Sequence, residues 1–131
     1  MNVYKVIKQM LTKKDSKRMN TQLSHDELVY AYVKAWNKLD ASIIEPLLSD
    51  EFTYGSMWVF EELHGKAAYM DYISGKFSAI KKSGSVVEAK IGISPQTGLS
   101  RVEMFQDGQR GAKIDVKSEN GKMTSAYMHD L

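Results

Sequence analysis

The chain lacks cysteine and has only two prolines and nine glycines among its 131 residues. Without cysteine, a disulfide framework, a thiolate metal site and a cysteine nucleophile are all excluded. So few prolines and glycines leave no room for a low-complexity linker. No apolar run approaches the roughly 18 residues of a membrane-spanning helix. We therefore expect no membrane partner for this chain.

The remaining composition is typical of a globular protein, with 43% hydrophobic and 26% charged residues. The formal net charge is +2, but residues 1–20 alone hold six basic residues and one acidic residue. The rest of the chain is mildly acidic, which argues against a nucleic-acid partner. Lysines interrupt the apolar residues at the start, so no signal peptide is predicted and we expect a cytoplasmic protein.

The basic N-terminal stretch has the spacing of a short amphipathic helix at about residues 3–13. Its apolar stripe consists of Val3, Val6, Ile7, Met10 and Leu11. The stripe could face a membrane surface, with the lysines as the polar side. We favour packing on the body of the protein or on a second subunit. The predicted organisation is an extension at residues 1–20 followed by one domain at residues 21–131.

Three further helices are predicted between residues 24 and 84. Ser24 and Glu27 form a capping-box pattern that begins a helix at about 25–39. A shorter helix is expected at 41–49, with a kink at Pro46. Short strand pieces at 52–54 and 57–60 follow, and then a third helix at 66–82 that Ser83-Gly84 ends.

From residue 86 onward the apolar residues alternate with polar ones, as in half-buried strands. Turn signals divide this region at 95–98, at Asp107-Gly108 and at Asn120-Gly121. We expect the loop at Asp107 to extend towards Gly111. Four antiparallel strands after the helices predict an α+β domain.

The order of these elements, with the stretches Tyr32–Asp40, Pro46–Tyr54, Leu63–Lys66 and Asn120–Met123, resembles the SnoaL-like members of the nuclear-transport-factor-like superfamily. The resemblance covers roughly residues 24–130. It implies a strongly curved antiparallel sheet wrapped around a long helix, as a cone that encloses a pocket. It also implies a homodimer formed through the sheet.

The superfamily includes ketosteroid isomerases, and the resemblance can be tested against their pattern residue by residue. Tyr32 matches the tyrosine that forms the oxyanion site of these enzymes. Ser56 stands where they carry the general-base aspartate, and a neutral hydroxyl cannot replace a carboxylate base. Asp115 follows Ile114 as the second acid does, but its distance to Gly121 does not fit. The isomerase mechanism is therefore poorly supported.

Aromatic residues and methionines are concentrated on and between the helices, which favours an apolar pocket with a few hydroxyl groups. The candidate ligand-binding residues are Tyr32, Trp36, Tyr54, Trp58, His64, Phe77 and Met104. We expect them to bind a small apolar or aromatic molecule, and no catalytic residue is assigned. Two alternatives are an acid–base enzyme on such a ligand and a non-catalytic dimeric module with a filled cone. No metal-ligand spacing is present, and neither a metal nor a cofactor is expected.

Deletion of residues 1–19 tests whether the N-terminal stripe packs on protein. Burial of the stripe against protein removes apolar area from water at about 25 cal/mol per Å². The deletion should therefore lower the melting temperature or shift the dimer equilibrium, while liposome binding changes little. Sedimentation of the full-length protein, but not the deletion variant, with anionic liposomes at physiological salt would establish the membrane alternative instead.

Overall fold

In the computed structural model, which describes residues 22–57 and 61–129, a curved six-stranded sheet wraps around a long buried helix. The predicted α+β class is confirmed, and the predicted helix at 3–13 lies outside the described residues. The helices are α1 (His25–Lys38) and α2 (Lys66–Ser83), with 3₁₀ turns at Ala41–Ile43 and Glu45–Leu47. The strands are β1 (Leu48–Ser56), β2 (Leu63–His64), β3 (Val87–Ile93), β4 (Ser100–Gln106), β5 (Gln109–Glu119) and β6 (Lys122–His129).

Helix α1 begins at the predicted capping box and ends within one residue of the predicted position. The Glu27 amide donates to the Ser24 hydroxyl, and the Ser24 amide donates to the Glu27 carboxylate at 2.8 Å. These two bonds satisfy amides that have no partner inside the helix. Leu39 ends the helix in the left-handed conformation, with φ at 53°.

The predicted helix at 41–49 is wrong. Asp40 caps a turn by accepting from the Ser42 amide at 3.0 Å, but the turn is one of two short 3₁₀ helices. Pro46 lies in the second of them, where its ring and missing amide prevent a longer α-helix. The chain then enters β1 at Leu48, and this strand contains the piece predicted at 52–54 and ends at Ser56. Of the piece predicted at 57–60, Met57 is in a turn and the other residues lie outside the described ranges.

The predictions for the second half of the chain agree better with the structure. Helix α2 ends at Ser83, one residue beyond the prediction, and Gly84 follows with φ at 77°. The loop at Asp107-Gly108 has only two residues, so its predicted extension to Gly111 is wrong. Both residues have positive φ, as does the Asn120-Gly121 pair. That is the conformation a tight type I′ hairpin requires.

The strands lie in the order β2-β1-β6-β5-β4-β3. Strands β3 to β6 form the expected antiparallel succession. Strand β1, however, pairs with β6 in parallel, with Tyr54 opposite Ala126. This pair joins segments that lie about seventy residues apart in sequence. It makes the sheet mixed and places the first long strand between β6 and the short edge strand β2.

Polar contacts hold α1 against the inner face of the sheet at both helix ends. Near its start, one nitrogen of the His25 ring lies 2.9 Å from the Ser118 hydroxyl, and the other lies 2.9 Å from the Ser100 carbonyl oxygen. Near its end, the Asn37 amide donates to the Ala89 carbonyl oxygen at 3.0 Å and accepts from the Ala89 amide at 2.6 Å. Since Ala89 lies on edge strand β3, Asn37 occupies backbone groups that pair with no other strand.

Between these ends, half of α1 is buried in the core: Leu28, Val29, Ala31, Tyr32, Val33, Ala35 and Trp36. None of the helices in the described part of the chain combines the length and the apolar character needed to cross a bilayer.

Candidate functional site

A cavity of about 550 Å³ lies between α2 and the inner sides of β3, β4 and β5. Its buried walls are apolar and come from Trp36 on α1, Met104 on β4, Ala112 on β5 and Met128 on β6. The other lining residues are Lys76, Ala79, Ile80, Ser83, Ser85, Val87, Phe105, Gln106 and Gly111. The volume lies within the usual range for small-molecule sites. An apolar lining with a few polar groups is also typical of such sites.

Of the seven residues predicted from the sequence, Trp36 and Met104 line this cavity. Phe77 lies behind Trp36, with the two rings edge to face and their centroids 5.0 Å apart. Phe77 therefore fixes the orientation of the indole rather than lining this cavity.

Tyr32 and Tyr54 do not line the cavity; they lie in an adjoining cluster of phenols in the core. The Tyr32 hydroxyl is hydrogen bonded to the Tyr69 hydroxyl, and the Tyr54 ring lies 5.1 Å from the Tyr69 ring. All three side chains are fully or almost fully buried. Tyr72 contacts the cluster from its less buried side, at 5.2 Å from Tyr54. Helical spacing puts Tyr69 on the buried face of α2, yet only the folded sheet brings it to Tyr32.

Burial keeps the phenols of this cluster protonated. It raises the pKa of Tyr32 to about 12, which the Tyr69 hydroxyl and the nearby Trp36 indole offset only in part. Burial also raises the pKa of Tyr54 and of Tyr69 well above the ordinary value. At neutral pH these groups can donate hydrogen bonds, but they cannot act as bases.

Two polar atoms in this interior are buried without a hydrogen bond of ordinary geometry to the described residues. They are the indole nitrogen of Trp36 and the hydroxyl of Tyr54. Tyr32 lies near the first, and Tyr72 and Ser56 lie near the second. An unpaired buried donor costs about 1–3 kcal/mol, so such groups usually have a partner.

The remaining two predicted residues do not contribute to this cavity. His64 is on edge strand β2, where its side chain is 73% exposed and its ring lies 3.7 Å from the Glu62 carboxylate. Trp58 lies outside the described residues.

The structure also shows where Ser56 and Asp115 lie, the residues at the positions of the two acids of the isomerase pattern. Ser56 is buried at the end of β1. Asp115 is on β5, half exposed, and its carboxylate lies 2.7 Å from the His129 ring nitrogen. Its neighbours Ile114 and Val116 face the core, so Asp115 points to the opposite, outer face of the sheet. It therefore cannot act in the interior of the cone.

The described cavity lining contains no aspartate, glutamate or histidine, and Lys76 is its one titratable side chain. The described ranges also contain no group of three or more such side chains that could hold a metal ion. With these residues, the cavity can hold an apolar body against its buried wall and donate hydrogen bonds to it.

No protein-family model matches the sequence, and a comparison with curated proteins finds no match. Solved structures do match. A SnoaL-like protein of unknown function from Burkholderia thailandensis has a TM-score of 0.64 at 17% identity, over 86% of this chain and 98% of that one. A putative ketosteroid isomerase from Kribbella flavida has a TM-score of 0.59 at 12% identity, over 82% and 77%.

A third match is an LEH-like epoxide hydrolase from M. tuberculosis, with a TM-score of 0.55 at 15% identity over 82% of both chains. At these identities the likeness shows the fold alone. The fold is the nuclear-transport-factor-like cone that the sequence resemblance implied.

The buried phenols predict a loss of stability at alkaline pH. Tyrosine in the unfolded chain ionises near pH 10, whereas Tyr32 keeps its proton until about pH 12. Between these values the folded state binds more protons than the unfolded state, so the free energy of unfolding falls as the pH rises. Tyr32 alone contributes about 2–3 kcal/mol of this loss.

Urea denaturation at intervals from pH 9 to pH 12 measures this effect. Tyr32→Phe should make the dependence on pH shallower, because it removes one of the buried phenols. Equal slopes for the wild type and Tyr32→Phe would contradict the assignment.

Proposed function

We propose that the protein binds a small apolar or aromatic molecule in the cavity beside Trp36. The observation that carries the proposal is the cavity itself, with about 550 Å³ of space against Trp36, Met104, Ala112 and Met128. An apolar ligand would gain about 25 cal/mol for each Å² that it removes from water. The Ser83, Ser85 and Gln106 side chains give the lining donors for one polar group of the ligand.

An acid–base enzyme on such a ligand is the second candidate. The neutral phenols of Tyr32 and Tyr69 adjoin the cavity without lining it, and donors of this kind can stabilise developing negative charge on a substrate oxygen. Two of the structural neighbours are described as a putative ketosteroid isomerase and an epoxide hydrolase. The described lining supplies no carboxylate or histidine to move a proton. Binding is therefore the better supported of the two functions.

The filled-cone alternative fits one part of the interior. Tyr32, Tyr54 and Tyr69 occupy the space between α1, β1 and α2 with their own rings. The cavity begins on the other side of Trp36, where no described side chain fills the space between α2 and the sheet. A module that served only for association would have no use for this second space.

A pair of alanines on α2 allows a direct test of the cavity. Ala79 lines it and Ala68 does not, and both are exposed, so tryptophan at either position should be tolerated. The fluorescence of N-phenyl-1-naphthylamine should report binding to the wild type and to Ala68→Trp. Ala79→Trp should weaken binding by about tenfold or more, which corresponds to about 1.4 kcal/mol.

Native mass spectrometry of the purified protein would look for a ligand retained in the cavity. Equal probe affinity in both tryptophan variants, or no probe binding at all by the wild type, would contradict the proposal.

We also propose that the protein forms a homodimer through the outer face of the sheet, and that it is cytoplasmic. On that face the half-exposed Tyr127 ring lies against Gly55. The same face carries both signs of charge in the Arg110–Glu103 pair at 3.1 Å, and the His129 ring nitrogen lies 2.7 Å from the Asp115 carboxylate. An apolar ring among balanced charges suits a two-fold interface, in which one surface must complement itself.

Light scattering should therefore show a species of twice the 14.8 kDa chain mass at micromolar concentration. Tyr127→Glu should shift the equilibrium towards the monomer. Leu99→Glu, at a half-exposed leucine in the turn before β4, is the matched control and should leave it unchanged. A wild type that remains monomeric at this concentration would refute the dimer.

A further inference from the structure

Among the described residues that line the cavity, the charge is of one sign. Lys76 is the single charged side chain among the described residues that line it, and no carboxylate lines it. Lys76 is on α2, and its ammonium group lies 5.9 Å from the centroid of the Tyr72 ring. No ion pair between Lys76 and a described acidic residue lies within 4 Å. The positive charge at the cavity is therefore not neutralised by these residues.

We propose that the cavity selects an apolar anion, namely a carboxylate attached to an aromatic or aliphatic body, with its carboxylate at Lys76. This inference rests on the proposed binding function and names the class of ligand. An ammonium group beside an apolar cavity favours a carboxylate over a neutral group of the same shape, because it adds a charge-assisted hydrogen bond. The Trp36, Met104 and Ala112 wall would hold the apolar body.

The other polar groups of the cavity determine the orientation in which this ligand would bind. Ser83 and Ser85 lie at the C-terminal end of α2, and the Gln106 amide lies 3.5 Å from the Ser85 hydroxyl. These groups are neutral, and the negative end of the helix dipole disfavours an anion there. Lys76 precedes Ser83 by seven residues, or about 10 Å along the helix axis. The carboxylate would thus lie at one end and a neutral or apolar group at the other.

The expected selectivity is moderate, because Lys76 is only partly buried. Partly exposed ion pairs are weakened by water and by salt. We expect a carboxylate to bind about three to ten times more tightly than its neutral isostere. The preference should decrease as the salt concentration rises.

The test uses 2-naphthoate and 2-naphthamide, which differ little except in charge, with calorimetry on the full chain. The wild type should prefer the carboxylate by the stated factor. Lys76→Gln should remove the preference while it keeps the affinity for the amide, and Lys76→Arg should retain the preference. Lys82→Gln is the matched control, since Lys82 is exposed on the same helix and does not line the cavity.

The outcomes separate this inference from the function on which it rests. If both compounds bind equally well to the wild type, or if Lys76→Gln keeps the carboxylate preference, anion selection is wrong while the binding function stands. If the neutral apolar probe and both naphthyl compounds fail to bind, the binding function itself is wrong. A preference that Lys82→Gln removes as fully as Lys76→Gln would show a general surface charge effect and would also overturn the inference.

Discussion

Helix α1 must lie inside the curved sheet at one rotation and one height, and the position of the candidate site depends on it. Apolar burial alone would hold the helix loosely, because many rotations bury a comparable area. The polar contacts at its two ends are directional. His25 reaches the Ser100 carbonyl and the Ser118 hydroxyl, and Asn37 forms a pair of bonds with the backbone of Ala89. Successive helical residues are about 100° apart, so a shift by one residue would turn Trp36 away from the cavity wall.

The same anchoring explains why the interior has two parts. Tyr32 and Trp36 are one turn apart on α1 and therefore lie on the same face of the helix. Tyr32 reaches towards β1 and α2, where Tyr54 and Tyr69 fill the space with phenol rings. Trp36 is the boundary, since its indole lies near the Tyr32 hydroxyl and also forms the wall of the cavity. A ligand against Trp36 would thus lie beside the buried hydroxyls.

The sequence predicted those parts of the fold that depend on local signals. The capping box at Ser24, the two Gly-containing hairpin turns and the alternation after residue 86 each act within a few residues. The parallel pairing of β1 with β6 joins residues about seventy positions apart, and no local pattern encodes it. The helix expected at 41–49 failed for a related reason. Its apolar spacing was helical, but Pro46 and pairing of the following residues in the sheet outweighed it.

The candidate site was predictable only as a set of residue types. Aromatic residues at helical spacing predict that a side chain faces inward, but not whether it contacts a cavity or another ring. Tyr32 and Tyr54 pack against other rings, whereas Trp36 packs on Phe77 and also lines the cavity, as Met104 does. Lys76 was missed because a lysine on a helix is usually solvated. Its position one turn after Tyr72 was the available signal, since residues four apart share a face.

The division of the interior also limits its chemistry. A cluster of neutral phenols can polarise a carbonyl group, but a proton transfer needs a second group that accepts the proton. The half-exposed carboxylate of Asp115 is on the far side of the sheet, paired with His129, so the sheet itself separates it from the phenols. What the cavity does offer is an apolar wall and one positive charge at Lys76. Since the fold is shared with proteins described as different enzymes, this local arrangement, rather than the cone, decides what the chain can bind.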